Sequence, residues 1–196
     1  AKDNIVYSKP KSKISESLRS IRSNLEFMLY ENKSNIIMIT SSISGEGKTF
    51  IANNLATIYA MSGKKTLLVG CDLRRAKLHK EFNIENDKGV STVLTKKHSL
   101  SDSIKDTGVD NLSILSSGPS PPNPGELLSG VQVERLFENI KQKYDVVIVD
   151  TAPLGLVADS MIISKFVDST VFVVRQNYTK RNLLKYVDDL YQNKKL

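Results

Sequence analysis

Five short apolar runs and a glycine-bearing loop that leads from the first run into a helical pattern predict an α/β fold. The sheet is expected to be mostly parallel, with helices on both faces. The runs span residues 36–40, 66–69, 112–115, 146–149 and 171–174. They are rich in Ile and Val and do not alternate with polar residues, which is the pattern of strands covered on both sides. Helix-like segments cover 48–61, 126–141, 157–166 and 180–192. In such sheets ligands bind beyond the carboxyl ends of the strands, so polar residues directly after a strand are the ones to watch.

The 196 residues suit one domain, large enough to bury a core without disulfides or a structural metal. A lone cysteine, Cys71, cannot form an internal disulfide and fits a reducing compartment. No apolar run approaches the roughly 18 residues of a membrane span, and no signal peptide opens the chain. A hydrophobic fraction of 40% excludes disorder. The net charge of +7 leaves nucleic acid, an anionic membrane surface or a phosphorylated molecule as partners.

Residues 1–13 are polar and basic and read as an arm or linker, with the domain proper over 14–196. From Ile14 the period becomes helical. Ile14, Leu18, Ile21, Leu25, Met28 and Leu29 share one face, while Glu16 and Arg19 project almost opposite, with Arg22 on the flank. The pattern alone describes a solvated face with i,i+3 pairing worth a few tenths of a kcal/mol.

The segment from Ile36 through Ser42, Ser44, Gly45, Glu46, Gly47, Lys48, Thr49 and Phe50 has the order strand, glycine loop, Lys-Thr, helix, which is that of a P-loop. Its chemistry accounts for the residue types. Glycines let backbone N–H groups turn toward a phosphate, and the helix N-terminus adds partial positive charge. Lys48 is placed to reach the β- and γ-phosphates, and the Thr49 hydroxyl to ligate Mg²⁺. The usual first glycine is Ser42 here.

Two more strand ends bear carboxylates. The run 146–149 is followed by Asp150, the Walker-B position for a magnesium carboxylate. The run 66–69 is followed by Gly70, Cys71, Asp72, Leu73 and the adjacent arginines Arg74 and Arg75. Asp72 is placed either to share the metal and the acceptor proton or to pair with a nearby arginine. The cations Arg74, Arg75, Lys77 and Lys80 lack interleaved aromatics, which argues against nucleic acid. His79 and His98 fit no metal or triad pattern.

These stretches together resemble the bacterial tyrosine kinases of polysaccharide export. The family carries a P-loop, an Asp-x-Asp-Leu-Arg motif and a Walker B reading Asp-Thr-Pro-Pro. Here the latter two read Gly70-Cys71-Asp72-Leu73-Arg74 and Asp150-Thr151-Ala152-Pro153. The loop from Ser117 to Leu128, with its Pro121-Pro122-Asn123-Pro124, resembles the family's most distinctive segment, and Glu16, Arg19 and Arg22 match its Glu-x-x-Arg-x-x-Arg oligomerisation motif.

The resemblance implies an ATP- and Mg²⁺-dependent autokinase acting in polysaccharide polymerisation and export. It implies Lys48, Asp72 and Asp150 as catalytic residues, the loop 44–50 on the nucleotide, and Thr49, Asp72 and Asp150 about the metal. It also implies a ring-forming homo-oligomer built through the Glu16 face, which presents the tyrosine tail of one subunit to the next. The expected location is cytoplasmic, at the inner face of the membrane through an activator or fused segment outside this chain.

Two departures stand out. Gly70 replaces the family's first aspartate, a candidate base for the tyrosine hydroxyl, and the loss of such a base costs roughly 10²–10⁴ in rate. The family also continues past the helix bearing Tyr186 and Tyr191 into a tyrosine-rich tail. Those two tyrosines are expected to pack the helix. A partner-regulated P-loop ATPase and a nucleotide-binding ring component without kinase turnover are the alternatives. Ile43 argues against the first, because those ATPases carry a lysine there.

Overall fold

The computed structural model describes residues 4–29, 33–155 and 158–193. In chain order the elements are α1 (Ile5–Ser8), α2 (Lys13–Glu26), β1 (Asn35–Ser41), α3 (Lys48–Met61), β2 (Thr66–Gly70), α4 (Leu78–Glu81), α5 (Val90–Leu94) and α6 (Leu100–Ser103). Then follow β3 (Ile104–Asp106), β4 (Leu112–Leu115), α7 (Pro124–Ser129), α8 (Val131–Lys141), β5 (Val146–Asp150), α9 (Asp159–Ile163), β6 (Ser169–Val173) and α10 (Arg181–Gln192). The strands form one sheet of order β3-β4-β2-β5-β1-β6, parallel except for β3. All five expected strands are present.

Alternate residues of the central strands feed two apolar layers, as a pleated strand requires. Ile36 and Met38 of β1, Leu67 and Val69 of β2, and Val147 and Val149 of β5 face Leu136, Phe137 and Ile140 of α8. Ile37, Ile39, Leu68 and Ile148 face the other way, onto Leu55, Ala56 and Tyr59 of α3 and Leu25 of α2. Burying a side chain of this kind is worth about 1.5–3 kcal/mol. The two layers fix the sheet, and with it the loops at the carboxyl ends of β1, β2 and β5.

The structure corrects the sequence reading in several places. β6 is only half-buried, because it is an edge strand paired to β1 alone. The expected helix 126–141 is two helices, α7 and α8, parted by the extended residue Gly130 (φ −77°, ψ 155°). The helix expected over 157–166 runs as α9 and a 3₁₀ turn, Ser164–Phe166; Val157 lies outside the described residues. The short antiparallel β3 has no buried run to announce it.

The described part of the N-terminal arm is not a free linker. Val6 is fully buried with Leu18 and Ile58. The Asn4 amide donates to Asn53 Oδ1 at 3.2 Å, and the Val6 N–H donates to Asn54 Oδ1 at 3.1 Å. Two asparagines in the middle of α3 thus serve as the seat for α1. Along α2 and the turn after it the buried stripe is narrower than expected: Leu18 and Leu25 are buried, Ile21 and Leu29 half-buried, Ile14 and Met28 exposed. Tyr186 and Tyr191 are exposed on α10 and do not pack it. Among the described residues no helix is long and apolar enough to cross a membrane.

Candidate active site

The loop between β1 and α3 is shaped by two left-handed glycines, Gly45 (φ 90°) and Gly47 (φ 99°). Both conformations are strained for any residue with a Cβ. Gly47 is the N-cap of α3 and offers no side chain, so the first N–H groups of that helix are left to a ligand. Lys48 and Thr49 follow in the first turn.

Beneath this loop the segment after β5 is fastened to β1. Leu154 N–H donates to Ser41 O at 2.8 Å, Gly155 N–H to Ser42 O at 3.0 Å, and the Thr151 hydroxyl to Ile39 O at 3.0 Å. Asp150 is held by its pairing with Ile39 on one side and Gly70 on the other. Its Oδ2 accepts from the Thr49 hydroxyl at 2.8 Å. Its Oδ1 is buried and has no hydrogen-bond partner.

Burial pushes the Asp150 carboxyl up to about 7, against the opposing effects of the Thr49 hydrogen bond and the nearby Lys48. Lys48 is itself buried, and desolvation lowers its affinity for a proton despite the surrounding Asp150, Asp72 and Glu46. A buried cation and a buried acid therefore lie near each other without a direct ion pair. Desolvation makes each favour a counter-charge from outside.

A cavity of about 460 Å³ opens over these groups. Ser44, Gly45, Gly47, Lys48, Thr49 and Phe50 form one wall. Asp72, Arg74, Arg75, Lys77 and the pair Ala152–Pro153 form the other. Of the expected site residues on the β1, β2 and β5 ends, all but Asp150 and Glu46 line this cavity, and Asp150 adjoins it through its hydrogen bond to Thr49. The Glu46 carboxylate is buried and accepts from Ile43 N–H at 2.8 Å, bracing the loop from within. Asp72 accepts from Arg75 N–H at 3.0 Å and stands on the cavity wall.

Cys71, fully buried, has its thiol proton held more tightly by burial, which makes it a packing residue beside the site. Glu16, Arg19 and Arg22 do not line this cavity. Glu16 and Arg19 pair with each other on α2, and Arg22 lies 3.6 Å from Glu26.

Several residues at the site had escaped the sequence reading. Asp159, buried at the start of α9, takes Arg74 through two hydrogen bonds of 2.8 and 3.2 Å. Gly125 lies over that pair: a Cβ there would stand 3.3 Å from Asp159 Oδ1 and 3.7 Å from Arg74 Nη2. The proline-rich loop is thereby seated on the wall of the cavity. Arg175, Tyr178 and Thr179, after β6, touch the phosphate loop itself. The rule that pointed to Asp72 and Asp150, a polar residue just past a strand, also marks Arg175.

A family model described as AAA domain matches residues 34–195. The chain is 40% identical over 169 residues to a putative tyrosine-protein kinase, CapB, of Staphylococcus aureus, an alignment covering 86% of this chain and 74% of that protein. The kinase domain of the Escherichia coli tyrosine kinase Etk superposes with a TM-score of 0.92 at 32% identity, over 96% of this chain and 74% of that one. This chain belongs to the bacterial tyrosine-protein kinase family. A septum site-determining protein, MinD, bound to Mg-ADP, from Pyrococcus horikoshii superposes at a TM-score of 0.69. At 24% identity, over 83% of this chain and 67% of that one, it shares the fold alone. The P-loop fold shared with these kinases implies nucleotide binding, and the protein is a protein-tyrosine kinase.

Proposed function

We propose that the cavity binds Mg²⁺·ATP and that the chain transfers the γ-phosphoryl group to tyrosines, in the service of capsular or extracellular polysaccharide production. The observation that carries the metal and nucleotide reading is the orphaned Oδ1 of Asp150, beside Thr49 and across from Lys48. Among the described residues no cluster of three or more His, Cys, Asp or Glu side chains is built to hold a metal. Two carboxylates and a hydroxyl suit Mg²⁺, which commonly takes one or two carboxylates and completes its shell with phosphate oxygens and water. Asp150, Thr49 and Asp72 would hold it, and it would neutralise charge developing on the phosphates.

The chain's own residues do the rest. The N–H groups of the 44–49 loop cradle the phosphates, and Lys48 supplies a buried cation where negative charge gathers. Asp72, on the opposite wall, is placed to accept the proton of an incoming tyrosine hydroxyl. The polysaccharide role is supported by a relative described as a putative tyrosine-protein kinase in the cps region of Klebsiella pneumoniae, 37% identical over 160 residues. We further propose assembly into a ring through Glu16, Arg19 and Arg22, phosphorylation of a neighbour's tyrosine tail, and activation by a membrane-anchored partner or segment at the inner face of the membrane. Lys194, Lys195 and Leu196 lie outside the described residues.

Gly70 favours a second reading, a nucleotide-binding ring component with slow or no turnover. One experiment separates the readings: incubate the protein with Mg²⁺·ATP and an acidic tyrosine-containing copolymer, and assay phosphotyrosine and free phosphate separately. Mg²⁺-dependent phosphotyrosine is expected. Free phosphate without phosphotyrosine would make the chain an ATPase, and nucleotide binding with neither product would leave the assembly role.

A further inference from the structure

We infer that the turn after β6 is a clasp that sets the phosphate-binding amides of the P-loop, with Arg175 and Tyr178 as its positioning residues. The inference rests on the nucleotide reading of the cavity and names residues that the P-loop motif does not contain. Three contacts make the clasp. Tyr178 Oη donates to the carbonyl of Ser44 at 3.0 Å, and Arg175 Nη1 donates to the carbonyl of Gly45 at 2.9 Å. The Thr179 hydroxyl bonds Glu46 Oε1, while Glu46 Oε2 takes the N–H of Ile43.

Peptide geometry turns these contacts into a statement about the site. In a trans peptide the C=O of one residue and the N–H of the next point in opposite directions, and there is no cis bond among the described residues. Holding the Ser44 carbonyl outward therefore directs the Gly45 N–H the other way, toward the cavity. Holding the Gly45 carbonyl outward does the same for the Glu46 N–H. Neither amide donates to a protein group among the described residues. Two successive inward N–H groups form an anion-binding concavity. Left-handed Gly45 gives the loop freedom to rotate these planes, and the clasp removes it.

The clasp is itself organised. Thr179 Oγ1 accepts from Arg175 N–H at 2.9 Å, and the Tyr178 and Thr179 N–H groups both close on Arg175 O. Asn177, at φ 58°, lets the turn reverse within that span. The Arg175 guanidinium lies 5.0 Å from the centre of the Tyr178 ring, so the two donors brace one another. A Cβ on Gly45 would meet Tyr178 Oη at 2.7 Å, so the fit of tyrosine to loop is close.

The test uses Tyr178→Phe, which keeps the ring and removes the donor, with Arg175→Gln, Thr179→Ala and Thr179→Ser. ADP affinity with Mg²⁺ is measured by calorimetry, the urea midpoint of the apo protein by circular dichroism, and the Gly45 and Glu46 amides by NMR. Each of Tyr178→Phe, Arg175→Gln and Thr179→Ala is expected to weaken ADP about fivefold to tenfold, the worth of one hydrogen bond. The urea midpoint should stay put, both amide resonances should move, and Thr179→Ser should bind as the wild type does. Affinities within twofold of a wild type that binds ADP would overturn the inference. Should the wild type bind no ADP, the nucleotide reading fails and the amides alone decide: unmoved Gly45 and Glu46 resonances would overturn the clasp.

Discussion

The Thr49 hydroxyl and the Asp150 carboxylate share one hydrogen bond of 2.8 Å, and it satisfies only half of a buried acid. Asp150 keeps its proton until about pH 7, chiefly because it is buried, whereas an unfolded aspartate loses its proton near 3.9. Between those values the folded chain holds a proton that the unfolded chain has released, so this group makes stability fall as pH rises from about 4 to 7, and level off above. The size is on the order of a few kcal/mol. Urea unfolding of the apo protein at pH 5, 6, 7 and 8 should show the slope, and Asp150→Asn should flatten it. Identical slopes in the two proteins would refute the assignment. Mg²⁺·ADP should offset the loss at pH 8, because a cation stabilises the ionised form.

Lys48 is a second group whose burial is a cost to the fold. Desolvation disfavours its charge, and the carboxylates around it compensate only in part. Lys48→Met is expected to leave the apo melting temperature unchanged or to raise it by a few degrees. Phosphotyrosine formation should drop by about 10²–10³, the usual consequence of removing one aimed electrostatic group. Parallel loss of stability and activity would instead make Lys48 structural.

The Arg74–Asp159 pair makes an asymmetric prediction. Asp159 is buried, whereas the Arg74 side chain is 43% exposed. Arg74→Met leaves a buried carboxylate with nothing to answer it, and should cost about 1–3 kcal/mol. Asp159→Asn returns an arginine to water and should cost less. The double variant should be more stable than the two single losses predict, because the residues act as one unit. Additive losses in denaturation would show that the pair is not coupled.

How far sequence reached at this site depended on which residues carry their own signature. Lys48, Thr49 and Asp150 sit at fixed offsets from a strand end, so the apolar runs alone mark their positions. Asp72 is marked in the same way. Asp159 and Thr179 could not be found this way, since each depends on a contact across more than 80 residues with a partner of ordinary type. The buried asparagines of α3 are the clearest lesson. Asn53 and Asn54 interrupt the apolar middle of α3, and buried polar groups need partners; their side-chain oxygens find theirs in the segment that composition marked as a linker. The split at Gly130 was legible as a lone glycine in a helical run. By contrast, the half-burial of β6 follows from its place at the sheet edge, which no local pattern encodes.

Gly70 gives the prediction with most bearing on activity. Restoring the family's aspartate there is not a simple addition. A Cβ at Gly70 would stand 2.8 Å from Ser117 Oγ and 3.1 Å from Ser117 N, so Ser117 occupies the room the side chain would need. Gly70 is also in register with Asp150, which would bring a second carboxylate beside one already reluctant to ionise. Gly70→Asp alone should therefore lose about 1–3 kcal/mol by overpacking, with the loss growing as pH rises. Ser117→Gly in the same chain should recover much of it, and Mg²⁺·ADP should stabilise the double variant more than the wild type. If the missing aspartate limits turnover, the double variant should form phosphotyrosine at least tenfold faster than wild type in an anti-phosphotyrosine time course. Equal rates in a stable, nucleotide-binding double variant would show that Asp72 suffices for the acceptor and that Gly70 does not slow this kinase.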